Sequence, residues 1–423
     1  MTRPRLRIPT RASVAAALLC LGGCEGSTGA ALDGSTPTVR IEADRVDLAV
    51  GERIQLHASV GGVAGLAPTW RSTDSGIATV DVNGSVLAVS AGSARIVAEV
   101  APAADTVEVV VTAGGAGESL FARDQRPYTS TSPWNTPLPA DAAVDPRSEA
   151  MVATIAASSN GKLRSDPDQY AYPVYFASSA TPRTTLSCSG VVSVLHADGT
   201  RTVTNGGGLP GVPIPAGATP SAGTDAQVII IDETTGDEYD IWRYTPPARC
   251  ENVTHYVAGV HRSGVEPRYA SRGAGVPYLA GLVRPWEIEA GRISHALAFG
   301  YPMNRAVRCV WPASKTDGAS ETPDAIPEGA RLRLDPAVDL EQIPGLDAAG
   351  RIIARALQEY GAFVIDNSGS NKLYVEDNLT AAWGDRIVAT TVSAIPVERL
   401  QVLRLPDAYR AEPYQPTHGD CVR

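Results

Sequence analysis

Between residues 227 and 244 the chain reads QVIIIDETTGDEYDIWRY. Gln227–Asp232 is a β-branched run, Glu233–Asp237 is a polar loop with Gly236, and Glu238–Tyr244 alternates again. The stretch predicts a β-hairpin. Alternation along its second strand puts Glu238, Asp240, Trp242 and Tyr244 on one face, with the two carboxylates roughly 6.6 Å apart along the chain. That is near the ~5–9 Å separation of glycosidase carboxylate pairs. Two acids followed by two aromatics suit a surface that grips or cuts sugar. An ordinary solvated face has the same composition.

A second set of candidates lies downstream. His295 sits in GRISHALAF, where alternation groups it with Ile293, Leu297 and Phe299 on an apolar face. There it is either a satisfied core residue or a shielded base of near-neutral pKa. Arg284, Trp286 and Glu287 precede it, and Trp286, like Trp242, offers an aromatic platform beside a polar edge. Asp240, Glu238 and His295 are therefore the catalytic candidates, and Trp242, Trp286 and Arg284 the substrate-binding ones. The Gly-rich stretch Ser271–Gly275 can bring backbone close to a ligand. His261-Arg262 and Arg268-Tyr269 supply the cation and base that a uronate lyase needs. The turn Asp366–Asn371 is rich in oxygen, a weak hint of Ca²⁺, but it lacks EF-hand spacing and reads better as an Asx turn. No other cofactor and no metal site is expected. A nucleophile elbow, an H-E-x-x-H pair and a P-loop are all missing.

Glu238-x-Asp240 resembles the E-x-D-x-x-E strand of laminarinase-like glycosidases, where alternate acids serve as nucleophile, helper and acid/base. Arg243 stands at the third position, so the full mechanism does not carry over.

These residues need a framework of strands. The chain has 423 residues, with 40 Gly and 32 Pro, and long helical patterns are scarce. The fold class is mainly β: an Ig-like sandwich followed by a larger sandwich or jelly-roll-like domain with about two helices. Those helices are Pro146–Ser158, with Asp145 as its cap, and Asp347–Tyr360, which Gly361 ends. All 14 Tyr and five of the six Trp lie beyond residue 118. The net charge is −10, which argues against nucleic acid as a partner. The pattern leaves the oligomeric state open. Cys188, Cys250, Cys309 and Cys421 allow three pairings. We expect Cys188–Cys250 and Cys309–Cys421, the latter tying down a tail.

Residues 1–23 read as a signal peptide, with four arginines and a short apolar run Ala12–Leu21. The end, Leu21-Gly22-Gly23-Cys24, resembles the bacterial lipobox. That resemblance implies lipidation at Cys24, export and a membrane anchor. In a cell with two membranes, Glu25 in place of Asp favours the outer one. Residues 24–38 form a flexible tether. Within 39–112, the run Pro68–Asp74 with Trp70, then Ile77–Asp81, Gly84 and Ala88–Gly92, resembles the bacterial Ig-like group 2 domain of intimin- and invasin-type surface proteins. The resemblance implies a spacer or adhesive module, with Trp70 plugging the core and no site. His57 should be a surface residue. Residues 113–117 are a Gly-rich linker, and 118–423 form the β-rich C-terminal domain.

The leading expectation is a surface lipoprotein whose C-terminal domain cleaves polysaccharide, as a hydrolase or lyase. The alternative is a glycan-binding or adhesion protein without turnover. The test between them is whether Asp240, His295 and Trp286 line one groove.

Overall fold

The computed structural model describes residues 36–49, 53–62, 66–81, 83–89, 92–112, 121–265 and 272–423. The signal peptide, Cys24, most of the tether, the linker, Arg268 and Tyr269 lie outside them. Among the described residues no helix is long and apolar enough to cross a membrane.

The first unit comprises β1 (Thr38–Ile41), β2 (Arg45–Ala49), β3 (Arg53–Gln55), β4 (Ala58–Gly61), β5 (Thr69–Ser72), β6 (Ala78–Val80), β7 (Ser85–Ala88), β8 (Gly92–Val100) and β9 (Ala103–Thr112). They pair as β2-β9-β8-β5, β3-β7-β6 and β1-β4. Inward residues such as Ile41, Val46, Val86, Ile96 and Val109 share one core. This is a β-sandwich held by packing alone. Trp70 packs half-buried against that core instead of plugging it. Gly84 takes φ +86° beneath the Trp70 ring, where a Cβ would come within 2.9 Å of it. His57 is exposed.

The larger unit contains β10 (Val174–Ala177), β11 (Arg183–Leu195), β12 (Arg201–Pro213), β13 (Val228–Asp232), β14 (Asp237–Trp242), β15 (Arg249–Cys250), β16 (Asn252–Tyr256), β17 (Leu297–Tyr301), β18 (Arg331–Leu334), β19 (Ala362–Asn367), β20 (Lys372–Leu373) and β21 (Leu400–Val402). Its helices are α1 (Ser148–Ala156), α2 (Pro285–Glu289), α3 (Ala348–Glu359) and α4 (Asn378–Ala381). One sheet runs β10-β13-β14-β16-β11-β12, with β15 beside β11, and the other runs β20-β17-β19-β18-β21. Both mix parallel and antiparallel pairs. The Asp347 side chain caps α3 by accepting the Gly350 amide, and Gly361 ends it at φ +71°.

Alternation sends Leu297, Phe299 and Val364 into a core with α1 and α3. It sends Ala298, Phe363 and Ile365 into a second core shared with Ile229 and Ile231 of β13. Val228 and Ile230 face a third core, on the outer side of the first sheet, with Tyr239, Ile241 and the Cys188–Cys250 disulfide. The layers are therefore helices, one sheet and a second sheet, not two sheets alone. Both disulfides, Cys188–Cys250 and Cys309–Cys421, join the expected partners.

Two local expectations change. His295 is not on a strand: β17 begins at Leu297, and the Ala296 amide donates to the Trp134 carbonyl outside the ladder. Tyr244 does not share a face with Asp240. Arg243 takes φ +51°, which breaks the alternation and turns Tyr244 into the outer core with Tyr239.

Candidate functional site

The hairpin at 228–242 forms as expected, with Ile231 opposite Glu238 and Ile229 opposite Asp240. Its acidic face does not meet water. Glu238 and Asp240 point between the two sheets and are wholly buried. Glu238 Oε1 accepts the Leu279 amide at 3.1 Å, and Oε2 accepts the Tyr128 hydroxyl at 3.2 Å. Asp240 Oδ2 accepts the Tyr278 amide at 2.8 Å. Burial pushes the Glu238 carboxyl up to about 7, against the hydrogen bonds it accepts. Burial, and then the Glu238 charge, push Asp240 well above the usual carboxylate range. Two neighbouring carboxyls out of water cannot both ionise cheaply, so the pair retains a proton at neutral pH.

The loop that covers the pair is locked in turn. Arg272 stacks on Tyr172 and Tyr374, at 4.7 and 5.2 Å. It donates to the Ala280 carbonyl at 2.7 Å and the Tyr278 carbonyl at 2.5 Å. The dyad thus clamps residues 278–279 between the sheets, and a polymer cannot reach it in this arrangement.

His295 occupies a separate place. Its Nε2 lies 3.0 Å from Glu287 Oε1, and its Nδ1 lies 2.9 Å from the Ala296 carbonyl oxygen. Burial works against its charge, but the adjacent Glu287 carboxylate, with help from the Ala296 carbonyl, outweighs it and raises the pKa. Glu287 Oε2 also accepts the Arg284 amide at 3.0 Å, at the start of α2.

That helix builds the feature best suited to a ligand, an open groove of about 460 Å³ between α2 and the edge strand β10. Trp286, Tyr175 and Phe176 line it, with Arg123, Asp124, Arg284, Glu289 and Glu376. Arg284 Nε donates to Glu376 Oε2 at 2.5 Å, and both side chains are almost fully buried. Arg123 and Arg284 lie within cation–π distance of Phe176, which leaves the half-buried Trp286 and Tyr175 as aromatic surfaces. Arg284 Nη1 and Trp286 Nε1 have no acceptor within the protein.

The groove therefore unites two predicted residues, Arg284 and Trp286, and excludes Glu238, Asp240 and His295. Trp242 lies elsewhere, with its Nε1 donating to Asp225 at 3.4 Å and Arg243 stacked on its ring. Arg262 is spent on the Val257 and His196 carbonyls. In the 366–371 turn, Asp366 accepts the Tyr374 hydroxyl and Asn371 donates to the Ile155 carbonyl of α1. Among the described residues no three His, Cys, Asp or Glu side chains are placed to hold a metal ion. Sequence reasoning missed Tyr175 and Glu376. Glu287 was named beside Arg284 and Trp286, but its pairing with His295 was invisible.

No family model matches the chain, and no curated protein does either. Among solved structures, domains 4 and 5 of the S-layer protein SbsC are 19% identical over 18% of this chain and 51% of that one, with a TM-score of 0.16. SbsC domains 5–6 are 13% identical over 52% and 99%, at a TM-score of 0.17. A structure described as the basis for Dscam isoform specificity is 12% identical over 53% and 46%, at 0.15. The chain spans about half the length of the first of these structures. Scores this low carry no argument about activity.

Proposed function

We propose that this chain is a glycan-binding protein of the cell envelope, without turnover, and that it grips sugar in the groove between α2 and β10. One observation carries the reading. The half-buried indole of Trp286 lines the groove beside a buried Arg–Glu pair, and two buried donors there, Arg284 Nη1 and Trp286 Nε1, lack acceptors within the protein. Stacking on a ring face with fixed polar groups around it is how a protein holds a pyranose. Three carboxylates against two guanidiniums favour a neutral glycan over a polyanion. Cleavage through Glu238, Asp240 and His295 is the weaker reading, since all three are buried outside the groove.

Display follows from the N-terminus. The lipobox-like Cys24 supplies a lipid anchor, and the bacterial Ig-like group 2 resemblance makes the first unit a spacer. Two disulfides suit an oxidising compartment.

Native gels cast with neutral or uronic polysaccharides test the proposal. The protein should be retarded by at least one neutral glycan, and Trp286→Ala should weaken that by roughly tenfold, as for a central aromatic anchor. Retardation unchanged in the variant, or new reducing ends released from the glycan, overturns it. Labelling with a radioactive fatty acid, lost in Cys24→Ala, tests the anchor.

A further inference from the structure

We infer that His295 is the positioning residue of the groove: as an imidazolium it fixes the Glu287 carboxylate, and through it the first turn of α2 that carries Arg284 and Trp286. The inference takes the groove as the binding site proposed above, but its test needs no glycan.

Nδ1 donates to the Ala296 carbonyl at 2.9 Å, and Nε2 lies 3.0 Å from Glu287 Oε1, an ion-pair contact without the alignment of a hydrogen bond, which leaves that oxygen with no hydrogen-bond donor. A neutral imidazole with its one N–H on Nδ1 would set the Nε2 lone pair against the buried carboxylate, so the contact favours the imidazolium. The ring is 5% exposed, which keeps bulk water from screening that contact. Glu287 then hands the constraint on. Its second oxygen accepts the Arg284 amide at 3.0 Å, and the Arg284 side chain is held by Glu376 at 2.5 Å. Trp286 lies between Arg284 and Glu287 in sequence and has no side-chain hydrogen bond of its own.

The charged groups facing His295 are Glu287, from α2, and Arg126, whose guanidinium donates to the Ser294 carbonyl at 2.8 Å. The carboxylate favours the imidazolium and the guanidinium opposes it. The favourable charge outweighs the opposing one and the cost of burial, so the ring titrates above its ordinary value of 6.5. Deprotonation leaves the Glu287 carboxylate buried without its cation. That releases the turn, and the indole of Trp286 becomes more accessible.

The full chain serves for the test. Acrylamide quenching of Trp286, taken as the difference between the protein and Trp286→Phe, is followed as pH rises. Quenching should increase by a few-fold in one step centred above pH 6.5, and His295→Gln should show no step. A quenching profile without a step in the parent protein, or the same step in His295→Gln, overturns the inference. Nitrogen-15 NMR of the unsubstituted protein checks the same point without any variant. Both His295 ring nitrogens should carry protons at pH 6, and a neutral ring there overturns the inference. A glycan that fails to bind would remove the proposed function and leave these signals intact.

Discussion

The Glu238–Asp240 pair shows how a single residue's surroundings set its chemistry. Each carboxyl has a folded pKa raised above its unfolded value. For Glu238 the stability contributed is complete below the unfolded value of 4.5 and is lost as pH rises through about 7. We expect the melting temperature to fall between about pH 5 and about pH 8, with a much shallower fall in Glu238→Gln. Calorimetry at constant ionic strength measures this, and parallel slopes would remove the dyad from the account. The amides of Tyr278 and Leu279 donate to these carboxylates, so their NMR shifts should move with the same midpoint. None of this was legible in the residues. Alternation gave the face of Glu238 and Asp240, but not the loop some 40 residues on that covers them.

At the scale of elements, legibility followed length. β13 and β14 were readable from a β-branched run, a Gly turn and an alternating strand. α3 was readable from its apolar stripe, Asp347 at one end and Gly361 at the other. Gly361 takes φ +71°, and a Cβ there would strike the Leu332 carbonyl. Gly361→Ala should therefore destabilise by more than the ~1–2 kcal/mol of left-handed strain alone. Urea unfolding reads this, and a change below about 0.5 kcal/mol would mean that the turn relaxes. α2 was not readable, because five residues are too few to show a period. Its meaning comes from Glu376 and His295, partners set by tertiary packing. The strand proposed through His295 failed for a related reason. GRISHALAF alternates well enough, yet its first half finds no neighbour to pair with, and the ladder starts only at Leu297.

On the scale of the whole molecule, the two disulfides divide the work of restraint. They span 62 and 112 residues, for which chain entropy alone gives about 4 and about 5 kcal/mol. Length scarcely ranks them, so what each holds decides. Cys421 anchors a tail whose Val422 accepts the Trp311 amide at 2.7 Å. Cys421→Ser should expose that tail to limited proteolysis while the groove still binds, whereas Cys250→Ser should loosen the outer core behind β14. Equal protease patterns would refute the division. The outer strand of the larger sheet carries one more consequence. β12 has thirteen residues and, among the described residues, no neighbour beyond it, a length that invites pairing with another copy. Gly206, Gly207 and Gly211 take positive φ there, and Pro210 lacks an N–H. The edge is thus spoiled as a template for pairing with another copy. Pro210→Thr should raise light scattering at high concentration, and an unchanged signal would show that the glycines suffice to keep neighbouring copies apart.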